Sequence, residues 1–150
     1  MRRQLVIEII SSLLILLFVY TSISKLMDYT SFKSVLSKSP LIGSMGAIVA
    51  LALPITEALV SVLLFFPRTR LWGLYSALAL MTGFTVYLAY MIFFTPNLPC
   101  SCGGVLKQMT WRQHLVFNTF FLLLSLVGVV LQRKQMRRGV EAEVPPVVFT

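Results

Sequence analysis

Four long apolar runs constrain the fold of this chain more than any other feature of its sequence. They cover about residues 5–24, 42–66, 71–94 and 111–131. Each run has roughly the 17–25 residues that an α-helix needs to cross the hydrocarbon core of a bilayer. Because a spanning segment must satisfy its own backbone hydrogen bonds, we expect each run to be a helix. The sequence therefore predicts an all-α membrane protein in which residues 1–131 form a bundle of four transmembrane helices.

Composition agrees with a membrane protein and argues against a nucleic-acid-binding one. Hydrophobic residues make up 57% of the chain and charged residues only 12%, which is typical of integral membrane proteins. The formal net charge is +8, but the basic residues cluster at the ends of the apolar runs. Such clusters set orientation in the membrane, so the expected partner is membrane lipid and not nucleic acid.

The distribution of Lys and Arg predicts the orientation of the bundle. Eight of the 13 basic residues lie on the side that carries both chain ends, and five lie on the other side. Since the richer side is usually cytoplasmic, we expect a bacterial inner-membrane protein with both termini in the cytoplasm. The loop between the third and fourth spans then faces the periplasm. Residues 132–150 are predicted to be a cytoplasmic tail, extended and poorly ordered.

The loop after the first span, Lys25–Pro40, has an amphipathic pattern. Leu26, Tyr29, Phe32 and Leu36 recur at helical spacing. This spacing predicts a short amphipathic helix at the outer interface. We favour the interpretation that it covers the top of the bundle, and the alternative is a lid beside the loop between spans three and four.

The two cysteines of the chain, Cys100 and Cys102, lie one residue apart in that outer loop. A disulfide between them would close a very small ring and constrain little chain entropy, so it would be a poor structural cross-link. Strain in such a ring makes the bond easier to reduce. In an oxidising compartment the pair predicts thiol–disulfide exchange. The alternative is two free thiols packed at an interface.

The start of the fourth span carries a helix signal and the single histidine. Thr110 and Gln113 fit the capping-box pattern S/T-x-x-E/Q, which places His114 in the first helical turn. A neutral imidazole there could accept a proton from a cysteine or a quinol. Asn118 is expected on the same helix face. The alternative is that His114 is only an interfacial polar residue.

Glu57 lies near the middle of the second span, shortly after Pro54. A carboxylate is costly at this depth, so we expect it to face the bundle interior and to be paired or protonated. Its functional roles would be proton relay or contact with a quinone head group, shared with Asn118. An interhelical hydrogen bond is the structural alternative, slightly favoured for Glu57 and more strongly for Glu8.

A metal site ranks below these interpretations, and none is predicted. A Cu(I) site could be built from Cys100, Cys102, Met109 and His114 on grounds of ligand softness. The Cys-x-Cys pair, however, lacks the repeated Met or His ligands that a copper carrier usually has.

Five short segments are also informative through their order and spacing. They are Ser24–Asp28, Ser39–Leu41, Leu53–Glu57, Pro99–Gly104 and Thr110–Asn118. Together they resemble the MauE/DoxX-type redox-associated membrane proteins, particularly the methylamine-utilisation MauE branch and its relatives in Bacteroidetes. The resemblance covers all four spans and leaves out the tail. It implies a four-helix inner-membrane protein linked to disulfide formation or maturation of exported proteins.

The sequence thus predicts a membrane thiol–disulfide redox component, and an oxidoreductase linked to a quinone is one form that it could take. Cys100 and Cys102 would exchange with an exported thioredoxin-like protein or a disulfide-containing client, and His114 would assist proton transfer. A single cysteine pair cannot relay electrons across the bilayer, so a quinone, a partner subunit or a soluble thiol protein is needed. The alternative is a non-enzymatic subunit that docks to and stabilises a larger membrane complex.

Overall fold

A computed structural model describes residues 2–95 and 109–143 of the chain, and this part is almost entirely helical. Four of its helices are long and apolar enough to cross a membrane, so the predicted fold class is confirmed. The helices are α1 (Arg2–Met27), α2 (Tyr29–Ser37), α3 (Gly46–Phe65), α4 (Arg70–Phe94) and α5 (Trp111–Glu143), with a 3₁₀ turn at Gly43–Met45 before α3.

The four long helices pack in the order α1, α3, α4, α5, and α5 also contacts α1. The bundle is therefore closed around a core that includes Leu14, Phe18, Leu64 and Leu74, all of them buried. Many other large apolar side chains point outward, as expected for helices surrounded by lipid.

A tight turn joins the end of α3 to the start of α4, and so short a link makes the two helices an antiparallel hairpin. The Thr69 hydroxyl donates a hydrogen bond of 2.9 Å to the Leu63 carbonyl and closes the turn. The two helices approach closely at Gly73, where a Cβ atom would lie 2.8 Å from the Leu64 backbone nitrogen. A glycine is required at this contact for steric reasons.

The predicted amphipathic helix is present as α2. Phe32 and Leu36 are buried and pack against Ala50 of α3. Leu26, predicted to share their apolar face, instead belongs to α1 and is 49% exposed. That part of the prediction is wrong because α1 continues to Met27 before the chain changes direction.

The capping box at the start of α5 is confirmed. The backbone amide of Gln113 donates to the Thr110 hydroxyl oxygen at 3.3 Å, and the backbone amide of Thr110 donates to the side-chain Oε1 of Gln113 at 3.0 Å. These reciprocal bonds satisfy two backbone donors at the helix end.

The end of α5 differs from the sequence prediction. The helix does not stop near Leu131 but continues to Glu143, so an extended chain is the wrong prediction for residues 132–143. This stretch is rich in Arg, Lys, Gln and Met, which are strong helix formers. It also extends an existing helix and therefore bears no nucleation cost.

Candidate functional site

A cavity of about 350 Å³ lies within the bundle beneath α2. All four long helices and α2 contribute to its walls, which are mostly apolar. The apolar lining includes Leu17, Phe32, Leu36, Leu53, Leu80, Phe84, Tyr87, Leu88 and Phe117. The walls use the C-terminal half of α4 and the first turns of α5, so the cavity lies at the bundle end where the link between these helices is anchored.

Glu57 is the most deeply buried ionisable group of the cavity, with a side chain only 1% exposed. Its Oε1 atom pairs with Lys25 Nζ of α1. Nearby, the Ser22 hydroxyl donates a hydrogen bond of 2.8 Å to the Pro54 carbonyl, which fixes α1 against α3 about one turn from the ion pair. The carboxylate thus faces the interior and is paired, as its position in the span predicts.

Lys25 is a site residue that the sequence interpretation missed, because it was counted only among the charges that flank the membrane. Its side chain is 14% exposed. The ammonium nitrogen lies 5.0 Å from the centre of the Phe84 ring and 5.8 Å from that of Phe32, within the range of cation–π attraction. The sequence signal that could have identified this ion pair was a lysine in the last turn of one span followed by an acidic residue in the middle of the next span.

The second oxygen of the Glu57 carboxylate has a different environment. Oε2 is buried and accepts no hydrogen bond of ordinary geometry among the described residues, although the Thr21 hydroxyl is a side-chain donor beside the carboxylate. Leaving a buried acceptor unsatisfied costs about 1–3 kcal/mol. A donor from a bound molecule would relieve this cost, so the carboxylate is suited to ligand contact as well as to its structural ion pair.

His114 and Asn118 of α5 line the same cavity. Asn118 is 6% exposed. His114 is half-buried, and it lies within range of electrostatic interaction with the positively charged Lys25. The structure therefore brings together three of the predicted site residues, Glu57, His114 and Asn118, and adds Lys25. Their functional roles stay predictions.

The other candidate residues lie apart from this group or outside the described part of the chain. Cys100 and Cys102 belong to residues 96–108, outside the described residues. Glu8 is exposed and accepts a 3.0 Å hydrogen bond from Gln4 one turn earlier. Within residues 2–95 and 109–143, no group of three or more His, Cys, Asp or Glu is placed to hold a metal ion.

Comparison with known proteins gives one match. The model of a family described as methylamine utilisation protein MauE matches residues 3–131. The matched region holds all four spans and every residue of the cavity, and it ends before the basic extension of α5. No curated protein and no solved structure gives a significant match.

Proposed function

This chain belongs to the MauE family of multi-pass membrane proteins, and from this premise we propose that it is a thiol–disulfide redox component of the bacterial inner membrane. Cys100 and Cys102 cycle between dithiol and disulfide on the periplasmic side. Their exchange partner is an exported thioredoxin-like protein or a disulfide-containing client. The association with methylamine utilisation belongs to the family description and does not identify that client.

One observation carries the proposal: four polar side chains from three helices line one cavity at the end of the bundle where the cysteine loop is attached. The described part of α4 ends at Phe94, and α5 begins at Trp111. His114, Asn118, Lys25 and Glu57 line a cavity at this same end. A bundle whose role is only to fill the membrane has no need of four buried or half-buried polar side chains, since each is costly to place there.

Atoms and electrons balance in the exchange reaction with only two participants, the cysteine pair and the disulfide of the client. A thiolate of the pair attacks one sulfur of the client disulfide, and the client's other sulfur leaves as a thiolate. The second cysteine then attacks the mixed disulfide, so that the client gains a dithiol and Cys100–Cys102 becomes a disulfide. The reverse sequence oxidises the client. His114 accepts the proton of the attacking thiol, because only the thiolate is nucleophilic.

Thiol trapping in intact cells tests the proposal. We expect Cys100 and Cys102 to resist alkylation until a reductant is added. One of the single variants, Cys100→Ser or Cys102→Ser, should accumulate a reductant-sensitive mixed disulfide with an exported protein, because the resolving thiol is missing. The double serine variant is the control and should form none.

The alternative of a non-enzymatic docking subunit predicts a different result. The two thiols would then stay reduced in cells, and neither single variant would trap a partner. A partner complex that persists in the double serine variant would favour this alternative.

A further inference from the structure

The cavity has the size and wall chemistry of a site for a single ring system. Its volume of about 350 Å³ is near the lower end of the roughly 300–1,000 Å³ of small-molecule sites. Aromatic side chains from three helices, Phe32, Phe84 and Phe117, contribute to the walls. Aromatic rings pack favourably against flat ring ligands.

The charges in the cavity favour an uncharged ligand. Lys25 is already paired with Glu57, so the pair is neutral overall. An anionic ligand would meet Oε2 of Glu57, and a cationic ligand would meet the ammonium group of Lys25. An unpaired charge in such a site is strongly unfavourable.

The polar side chains of His114 and Asn118 favour a ligand with oxygens that accept hydrogen bonds as carbonyls and donate them as hydroxyl groups. A neutral His114 has one donor and one acceptor nitrogen. The Asn118 side chain likewise has an amide nitrogen that donates and an oxygen that accepts. Carbonyl oxygens would accept from these groups, and hydroxyl groups would donate to them or to Oε2 of Glu57. A hydrocarbon chain of a lipid would leave all of these groups unsatisfied.

We propose that this cavity binds a membrane-soluble quinone, with its ring between the aromatic side chains and its oxygens toward Glu57, His114 and Asn118. The binding site consists only of described residues and stands without the cysteines.

The use of this ligand as an electron acceptor rests on the proposed function. The cysteine dithiol loses two electrons and two protons as two S–H bonds break and one S–S bond forms. The quinone gains both electrons and both protons and becomes the hydroquinone, with two new O–H bonds. A chain with a single cysteine pair would thereby regenerate its disulfide.

Binding is tested on the purified full-length Cys100→Ser/Cys102→Ser variant in detergent, so that thiol chemistry cannot contribute. The probe is decylubiquinone, whose fully substituted ring does not add to thiols, and the matched control ligand is decylbenzene, which has no oxygens. We expect saturable binding of one quinone per chain in equilibrium dialysis, at least about tenfold tighter than decylbenzene. Equal affinities would mean an apolar cavity without a quinone site and would overturn the proposal.

A space-filling variant tests the position of the site. Gly83 lines the cavity, and a Cβ atom there would meet no atom within 4 Å. Gly83→Leu should therefore weaken quinone binding by at least about tenfold. Gly139 is equally open but lies outside the cavity lining, so Gly139→Leu is the control and should leave the affinity unchanged.

A polar-to-apolar variant keeps the test decisive if Gly83→Leu does not fold. Asn118→Leu nearly preserves side-chain volume and removes the amide, so it should weaken quinone binding by about tenfold and leave decylbenzene binding unchanged. Quinone affinity that is unchanged in this variant would overturn the site. If the cysteine-free protein binds quinone but neither Cys100→Ser nor Cys102→Ser traps a partner, the site is supported and the thiol-exchange function is overturned.

Discussion

At the scale of single residues, the Lys25–Glu57 pair is the most consequential feature of the described structure. Both side chains leave water, and their attraction must offset a desolvation cost of several kcal/mol for each ion. The aromatic rings of Phe32 and Phe84 beside the ammonium group reduce that cost for Lys25. The pair joins the end of α1 to the middle of α3, and it adds a charge contact to the hydrogen bond from Ser22 to Pro54 that links the same two spans.

We predict that the two halves of this pair are strongly coupled in stability. Lys25→Met or Glu57→Leu alone should destabilise the bundle by about 3–5 kcal/mol if the remaining charge stays unpaired, and by less if it becomes neutral. The double variant should recover much of the loss, since no lone charge remains. Unfolding in detergent of the four proteins gives the coupling free energy.

The exposed Lys33 of α2 provides a matched control for the loss of one lysine. Lys33→Met should change the free energy of unfolding by less than about 0.5 kcal/mol. Strictly additive losses in the Lys25 and Glu57 variants would show that the two side chains act independently.

At the scale of helices, local sequence signals and close packing both determine where each element lies. The capping box fixes the start of α5 and therefore the position of His114 in its first turn. Gly73 allows α4 to approach α3 at the hairpin. The helix α2 covers one end of the bundle, and its Phe32 and Leu36 form part of the cavity wall.

We predict opposite effects for two alanine substitutions in α4. Gly73→Ala should destabilise the protein by about 1–3 kcal/mol, because its Cβ would lie 2.8 Å and 3.0 Å from backbone atoms of Leu64 and Leu63. Gly83→Ala meets open space and should stabilise the helix by up to about 1 kcal/mol through higher helix propensity. Thermal unfolding in detergent compares them, and equal effects would contradict the close approach at Gly73.

At the scale of the whole molecule, the bundle has two ends, one for each side of the membrane, and their chemistry differs. One end carries the link between α3 and α4 and the basic extension of α5, and the other carries α2 and the cavity. The eight-to-five division of Lys and Arg predicts that the first end is cytoplasmic. The proposed exchange chemistry needs the second end to be in an oxidising compartment.

Reporter fusions measure this orientation directly. An alkaline phosphatase fused after Gly104 should be active because the enzyme needs periplasmic disulfides, and fusions after Arg68 or Gln135 should be inactive. Immunoblots of each fusion control for expression. The reverse pattern of activity would place the cysteine loop in the cytoplasm and remove the basis of the proposed function.

Much of the site could be predicted one residue at a time, but its assembly could not. Costly burial predicted that Glu57 faces inward, and helical spacing placed Asn118 on the face of His114. The partner of Glu57 was missed, because a lysine at a span end equally fits a membrane-flanking charge. The length of α5 was underestimated for a related reason: the end of an apolar run marks the end of the hydrocarbon-spanning stretch, whereas a helix continues as long as its residues favour it.

The sequence by itself determined the class and order of the elements, because apolar length, caps and charge clusters act locally along the chain. It also determined that Cys100 and Cys102 are too close together to form a useful cross-link. Only the tertiary structure decided that Lys25, Glu57, His114 and Asn118 share one cavity. These residues come from three helices, and contacts between helices depend on rotation and crossing that no local pattern specifies.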